Sequence, residues 1–312
     1  MKKIGVQSKN VVYDHNPIEG FSMLKEVGML CTDFSLNAYL TNTSLYQNKR
    51  NDFFTQSISE LEAFFRPHKE AAKEMGIMIN QMHMPYPIYV PNGSNELNEY
   101  LWNQVAPKSM QICHFLDCPY IVMHGLKLAH ILGTEEAEWK ETERFIDSIA
   151  PLAKEYGITI CVENLYNSAG NHLIEGPCCD AGKASVRIDR INDKYEAEVL
   201  GFCFDTGHAN LIGLDMEDFI TTLGHRLKVL HIHDNDGVGD LHQIPFTFTK
   251  TRENKTSTDW DGFIRGLKAI QFQGVLSFET APVLNAFPEE LKKETLRFIA
   301  KIGEYFAGRI EA

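Results

Sequence analysis

The stretch Ile158-Thr-Ile-Cys-Val-Glu-Asn164 is a near-continuous apolar run that ends in a carboxylate and an amide. The stretches Gly201-Phe-Cys-Phe-Asp-Thr-Gly-His208 and Val229-Leu-His-Ile-His-Asp234 repeat this design. Apolar runs without alternation are typical of parallel strands that are covered on both faces. Comparable runs along the chain complete eight predicted strands: Lys3–Gln7, Cys31–Leu36, Ile77–His83, Tyr120–His124, Thr159–Glu163, Gly201–Asp205, Val229–His233 and Gly274–Glu279.

Segments with helical spacing of apolar residues lie between these strands. The predicted helices are Ile58–Met75, Glu96–Leu116, Thr134–Tyr156, Met216–Leu223, Trp260–Ile270 and Pro288–Phe306. Eight alternations of strand and helix favour a single (β/α)8 TIM barrel over residues 1–312 rather than a doubly wound sheet. Two insertions, at about 164–199 and 246–258, are expected at the end of the barrel where loops build active sites.

Composition and charge narrow the class of partner. Acidic residues outnumber basic ones by 42 to 30, a net charge of −12, which disfavours nucleic acid as a substrate. No apolar run is long enough to predict a membrane span, and no apolar stretch with a cleavage site follows Met-Lys-Lys, so a secretory signal is not expected. The seven cysteines include no CxxC pair. Reduced thiols in a cytoplasmic protein are the expectation.

Most of the predicted strands end in a residue that can bind a metal. The residues at these ends are His83, His124, Glu163, Asp205, His208, His233 and Glu279. Each by itself would more often be an ion-pair partner or a hydrogen-bonded core histidine. Because strand ends converge on one mouth of a barrel, and because burying charged groups there without a partner is costly, together they predict a divalent metal site. We expect His231 and Asp234 to face away from His233, since side chains alternate along a strand.

Four motifs resemble the xylose isomerase-like superfamily of barrels, which includes sugar and sugar-phosphate isomerases and epimerases and endonuclease IV. The motifs are Val162-Glu-Asn164, Phe204-Asp-Thr-Gly-His208, His231-Ile-His-Asp-Asn-Asp236 and Phe278-Glu279. The resemblance covers essentially the whole chain. It implies that Glu163, Asp205, His233 and Glu279 hold one divalent ion (Mn, Mg, Co, Fe or Zn). The His-x-x-Asp spacing from His233 to Asp236 favours His233 over His231 as the ligand.

The sequence Asp240-Leu-His242 leaves the number of metals open. A similar Asp-x-His, together with histidines like His83, His124 and His208, completes a three-zinc site in endonuclease IV. These five residues are therefore either substrate contacts around one ion or ligands of up to three zincs. The stretch from His242 to Phe248 lacks the Gly-Glu-Gly of the nuclease, and the acidic charge disfavours a DNA substrate. One metal is therefore favoured.

The resemblance implies isomerisation or epimerisation of a small sugar or sugar derivative. Glu163 and Glu279 would exchange a carbon-bound proton across the mouth, while the metal stabilises the enediolate. Three alternatives stay open: a three-metal phosphodiesterase acting on nucleic acid, a dehydratase of the inositol-catabolism type, and a metal-bound barrel that only binds its ligand. Barrels of this kind often form dimers or tetramers, so a homo-oligomer is compatible with the resemblance.

Overall fold

The computed structural model describes residues 2–129, 134–248 and 257–312. Its strands are β1 (Ile4–Gln7), β2 (Cys31–Ser35), β3 (Met78–His83), β4 (Tyr120–His124), β5 (Thr159–Glu163), β6 (Tyr166–Ala169), β7 (His172–Glu175), β8 (Leu200–Asp205), β9 (Leu227–His231) and β10 (Leu276–Phe278). Eight of them form one parallel sheet in the order β10-β1-β2-β3-β4-β5-β8-β9. A parallel bridge between Ile232 and Phe278 joins the two ends. The predicted (β/α)8 barrel is confirmed.

Helices surround this sheet. Their bounds are α1 (Pro17–Glu26), α2 (Asn42–Tyr46), α3 (Ile58–Met75), α4 (Asn95–Tyr100), α5 (Ala106–Phe115), α6 (Glu135–Tyr156), α7 (Ala181–Tyr195), α8 (Thr206–Leu211), α9 (Met216–Leu223), α10 (Trp260–Ala269), α11 (Ala281–Ala286) and α12 (Glu289–Glu311). The segment predicted as one helix from Glu96 to Leu116 is α4 and α5 joined by a π-helical turn over Leu101–Val105. No helix in the described ranges is both long and apolar enough to cross a membrane.

The two faces of each barrel strand have different surroundings. On β8, Phe202 and Phe204 point outward and pack against Phe219 of α9, and Phe204 also stacks on Phe263 of α10. Cys203, between them, points inward. It belongs to a small buried cluster inside the barrel: Val122, Cys161, Cys203 and Val229.

This inner cluster positions the polar residues of the mouth. Because side chains two residues apart on a strand share a face, the residue two positions after each cluster member also points inward. These residues are His124, Glu163, Asp205 and His231. A layer of metal-capable side chains therefore lies directly above a layer of apolar ones.

The segment 164–199, which was predicted as an insertion, contains regular secondary structure. It holds the antiparallel hairpin β6–β7 and then α7, which is the crossover helix between β5 and β8. Sequence reasoning did not predict this helix. The second insertion, at 246–258, is only partly described, since residues 249–256 lie outside the described ranges.

Candidate metal centre

The carboxyl ends of the barrel strands surround a cavity of about 220 Å³. Seven of the residues singled out from the sequence line it: His83, His124, Glu163, His208, Asp240, His242 and Glu279. Asp205 and His233 are fully buried beside them. The structure thus brings all nine sequence-predicted site residues to one end of the barrel.

One group of four residues could hold a metal ion. Ligand atoms of Glu163, Asp205, His231 and Glu279 all lie within 4.8 Å of one another. Nδ1 of His231 is 3.2 Å from Oε1 of Glu163, 3.4 Å from Oε2 of Glu279 and 4.0 Å from Oδ2 of Asp205. Three carboxylates therefore converge on one imidazole nitrogen.

The prediction that His231 faces away from the site was wrong. His231 and His233 are two residues apart and so share the inner side of the barrel, whereas Ile232 between them belongs to the outer core. Nε2 of His233 lies 3.0 Å from Oδ2 of Asp205, and its ring stacks on His242 with centroids 4.0 Å apart. His233 falls in a separate group with His242 and Glu279.

A second contact set joins His83 and His124 to Glu163. Their Nε2 atoms are 3.2 Å apart, and Oε2 of Glu163 is 3.2 Å from Nε2 of His124 and 3.7 Å from Nε2 of His83. Nδ1 of His83 donates a hydrogen bond to the carbonyl of Met84 at 2.7 Å. The proton of a neutral His83 is therefore on Nδ1, and its Nε2 lone pair faces the other two groups.

A third set centres on Asp240. Its Oδ2 atom is 3.4 Å from Nε2 of His208 and 3.3 Å from Nε2 of His242. Nδ1 of His208 donates to the carbonyl of Asn164 at 2.9 Å, and Nδ1 of His242 donates to the carbonyl of Glu279 at 3.0 Å. Both rings thus present Nε2 to a carboxylate.

The donor set fits a divalent cation. Lone pairs on neutral imidazoles that face carboxylate oxygens repel them unless the rings are protonated or a cation lies between. Oε2 of Glu163 and Oδ1 of Asp240 are buried and accept no hydrogen bond within the described ranges. Histidines that bind a metal usually donate their other ring N–H to a carbonyl or carboxylate, as His83, His208 and His242 do. Residues of this type suit Zn, Mn, Fe or Co.

The electrostatics of the group are dominated by these contacts. Burial acts to raise the pKa of Glu163, but His231 and His124 hold that pKa well below its usual range. Burial likewise opposes the effect of His231 and His242 on Glu279, whose pKa falls to about 2. For His242 burial is outweighed by Glu279 and Asp240, and its pKa rises to about 9. Glu163 and Glu279 are therefore ionised at neutral pH, which is the state in which a carboxylate binds a cation.

Local structure around β8 fixes Asp205. The side chain of Asn164 accepts from the backbone N–H of Asp205 at 2.8 Å and donates to its carbonyl at 2.9 Å. Asp205 is also the N-cap of α8 and accepts from the N–H of His208 at 2.6 Å. Oδ1 of Asp205 thus caps the N-terminus of α8, while Oδ2 lies 3.0 Å from Nε2 of His233.

Sequence reasoning missed two residues of the site. Gln7 lines the cavity and donates from Nε2 to Oε1 of Glu279 at 2.8 Å. Asp33 is fully buried, and its Oδ2 atom lies 3.2 Å from Nε2 of His231. The signal for Asp33 was a carboxylate inside the strand Cys31–Leu36, but it lay mid-strand in that prediction rather than at a strand end.

Comparisons with known proteins find similarity both in structure and in sequence. A crystal structure of D-psicose 3-epimerase in the presence of D-fructose superposes with a TM-score of 0.65 at 15% identity, over 99% of this chain and 100% of that one. A probable endonuclease 4 from Methanocorpusculum labreanum is 32% identical over 52% of this chain and 59% of its own length. An inosose isomerase from Bacillus licheniformis is 24% identical over 54% of this chain and 56% of its own length. The chain spans less than two thirds of these two curated relatives.

A family-wide comparison covers much more of the chain. Residues 47–302 match the family described as xylose isomerase-like TIM barrel. This range runs from before β3 to within α12 and includes the residues of all three contact sets. The chain belongs to the xylose isomerase-like TIM barrel family.

Proposed function

We propose that this protein is a divalent-metal-dependent isomerase or epimerase of a small sugar or sugar derivative. The observation that carries the proposal is the convergence of Glu163, Asp205, His231 and Glu279 within 4.8 Å at the mouth of the barrel. These four residues would hold the ion, with His231 in the place that the sequence motif had given to His233. A cation there would supply Lewis acidity that stabilises negative charge developing on neighbouring substrate oxygens.

In this proposal Glu163 and Glu279 transfer the proton to and from the substrate. Glu163 and Glu279 both line the cavity, and both contact the same nitrogen of His231. Each is ionised at neutral pH, so either can remove a proton from a substrate carbon that lies between them. Gln7 holds Oε1 of Glu279, which fixes the direction in which that carboxylate acts.

The rest of the cavity suits a polyhydroxylated ligand. Its wall includes polar side chains that can donate to or accept from hydroxyl groups: Lys9, Ser35, Asn37, Asn42 and Tyr86. The pocket of about 220 Å³ is small, which favours a small sugar over a polymer. The net charge of −12 also disfavours a polyanion.

Exchange of substrate protons with solvent tests this function. The metal-loaded protein would be incubated in D₂O with D-fructose, D-psicose and D-tagatose, and deuterium at the carbons beside the carbonyl would be followed by NMR. We expect exchange in the wild type and its loss in Glu163→Gln and Glu279→Gln. Glu155→Gln, on the outer helix α6, is the matched control. Unchanged exchange in both site variants would rule out the two-glutamate scheme.

A second candidate is a multi-metal phosphodiesterase. The contacts around His83 and His124, and those around Asp240, extend the donor set beyond the four residues of one ion. Metal analysis of the purified protein and an assay on a duplex with an abasic site distinguish the candidates. One ion per chain and no cleavage support the isomerase, whereas three zincs and cleavage support the phosphodiesterase.

A further inference from the structure

We infer that Asp33 is the positioning residue that orients His231 as a metal ligand. The inference rests on the metal site proposed above. Oδ2 of Asp33 lies 3.2 Å from Nε2 of His231, and both residues have no exposed surface. The opposite nitrogen of the same ring, Nδ1, faces Glu163 and Glu279. The imidazole therefore connects a carboxylate inside the barrel to the carboxylates of the mouth.

The position of Asp33 in the fold makes this contact a long-range one. Asp33 is on β2 and His231 is on β9, and two strands, β10 and β1, lie between β9 and β2 around the closed barrel. The two side chains therefore meet inside the barrel rather than along a pair of neighbouring strands. Closure of the barrel is what creates the contact.

The carboxylate of Asp33 faces His231. Within the described ranges neither oxygen accepts a hydrogen bond, and Nε2 of His231, 3.2 Å from Oδ2, is also without a hydrogen-bond partner. A buried carboxylate without a donor is costly, so a group of opposite charge or a strong donor has to compensate it. Nε2 of His231 is placed to be that donor.

The consequence for His231 is a fixed tautomer. Nδ1 of His231 is hydrogen-bonded to Oε1 of Glu163 at 3.2 Å. A cation at this site would take the place of the proton in that hydrogen bond, and the remaining ring proton would then be on Nε2, facing Asp33. A carboxylate behind a ligating imidazole also raises the basicity of the ring and holds its orientation.

His231 differs in this respect from three other histidines of the mouth. His83, His208 and His242 donate from Nδ1 to a backbone carbonyl and present Nε2. His231 presents Nδ1 instead, so the group that orients its ring has to contact Nε2. That group is a side chain, Asp33, rather than a neighbouring backbone carbonyl. Asp33 also contributes a full negative charge.

A purely structural role makes a different prediction. If Asp33 only neutralised a protonated His231 in the folded chain, its replacement would lower the stability of the metal-free protein and leave the metal affinity unchanged. A positioning role lowers the metal affinity and acts through His231 alone.

The test is a double-mutant cycle on the full chain. Zn²⁺ affinity would be measured by chelator competition for wild type, Asp33→Asn, His231→Gln and the double variant, with thermal unfolding of each metal-free protein. We expect Asp33→Asn to weaken Zn²⁺ binding by about 10–100-fold, the range typical of such outer partners. In the His231→Gln background the same change is expected to alter the affinity by less than about twofold, because coupled residues are not additive. Glu138→Gln removes another buried carboxylate and is the matched control.

A wild-type measurement keeps the inference testable if Asp33→Asn does not fold. In zinc-loaded protein labelled with [¹⁵N]histidine, we expect the His231 ring to carry its proton on Nε2. A proton on Nδ1, an affinity of Asp33→Asn within twofold of wild type, or an additive double variant would overturn the inference. Zinc binding that depends on Asp33, without proton exchange on any sugar, would instead overturn the proposed function and leave the inference standing.

Discussion

Gly207 packs directly against the imidazole of His233. A Cβ atom at position 207 would lie 1.9 Å from Cε1 of His233, a distance that no side chain tolerates. Gly207 is in the first turn of α8, two residues after the N-cap Asp205. The glycine of the Asp-Thr-Gly-His motif is therefore a packing requirement of the site.

We predict that Gly207→Ala destabilises the protein and disturbs the metal site together. Overpacking of this kind costs about 1–3 kcal/mol in the free energy of unfolding. Gly308→Ala, on α12, is the control, because a Cβ there meets nothing within 4 Å. It is expected to raise stability by about 0.4–1 kcal/mol. Urea unfolding of both variants measures the difference, and equal effects would contradict the steric argument.

The choice between His231 and His233 as a metal ligand can be tested directly. We expect His231→Gln to weaken Zn²⁺ binding by about 100-fold or more, since even an outer partner contributes 10–100-fold. His233→Gln is expected to have a smaller effect, because His233 contacts Asp205 but falls outside the group of four residues proposed to hold the ion. Chelator competition measures both affinities. The reverse order would restore the ligand set that the sequence motif implied.

Metal binding is expected to raise the thermal stability. At a free ion concentration of 100 times Kd, a bound ligand contributes about 2.7 kcal/mol, which corresponds to a Tm increase of roughly 4 °C for a chain of this length. Asp205→Asn is the informative variant, because asparagine keeps the N-cap of α8 while removing a ligand charge. We expect this variant to lose most of the shift between EDTA-treated and Zn²⁺-loaded protein in a thermal melt. A full shift in Asp205→Asn would place the ion elsewhere.

The ion pairs between α6 and α7 predict a pH dependence of stability. Burial opposes but does not outweigh Arg187 and Lys183, which lower the pKa of Glu135 to about 2 from its ordinary value of 4.5. A depressed folded-state pKa contributes stability that is present above pH 4.5 and is lost as the pH falls toward 2. The Glu135 side chain is 37% exposed, so the contribution is at most about 1 kcal/mol.

The corresponding variant is Glu135→Gln. We expect it to be less stable than wild type at pH 7 and to converge with wild type as the pH falls to about 2 and below, as measured by urea unfolding across this range. Glu155→Gln, an exposed residue of the same helix, should show no such convergence. A constant difference at all pH values would show that Glu135 acts by packing rather than by charge.

Much of the fold could be predicted from the sequence. The strands β4 and β5 begin and end where the apolar runs predicted, because a strand buried on both faces needs a continuous apolar run. The helix α7 was missed, since it lies in a segment that was interpreted as one long insertion. Its apolar positions are spaced for a helix: Ala184, Ile188 and Ile191 are buried on one face.

The sequence by itself determined which residues end the strands, and therefore that carboxylates and imidazoles gather at one mouth of the barrel. The shared side of His231 and His233 was also within its reach, since alternation along one strand is a local property. Only the tertiary structure decided that Asp33 of β2 meets His231 of β9. That contact depends on barrel closure and on the register of strands distant in sequence, and no local pattern of residues encodes a distance across the barrel.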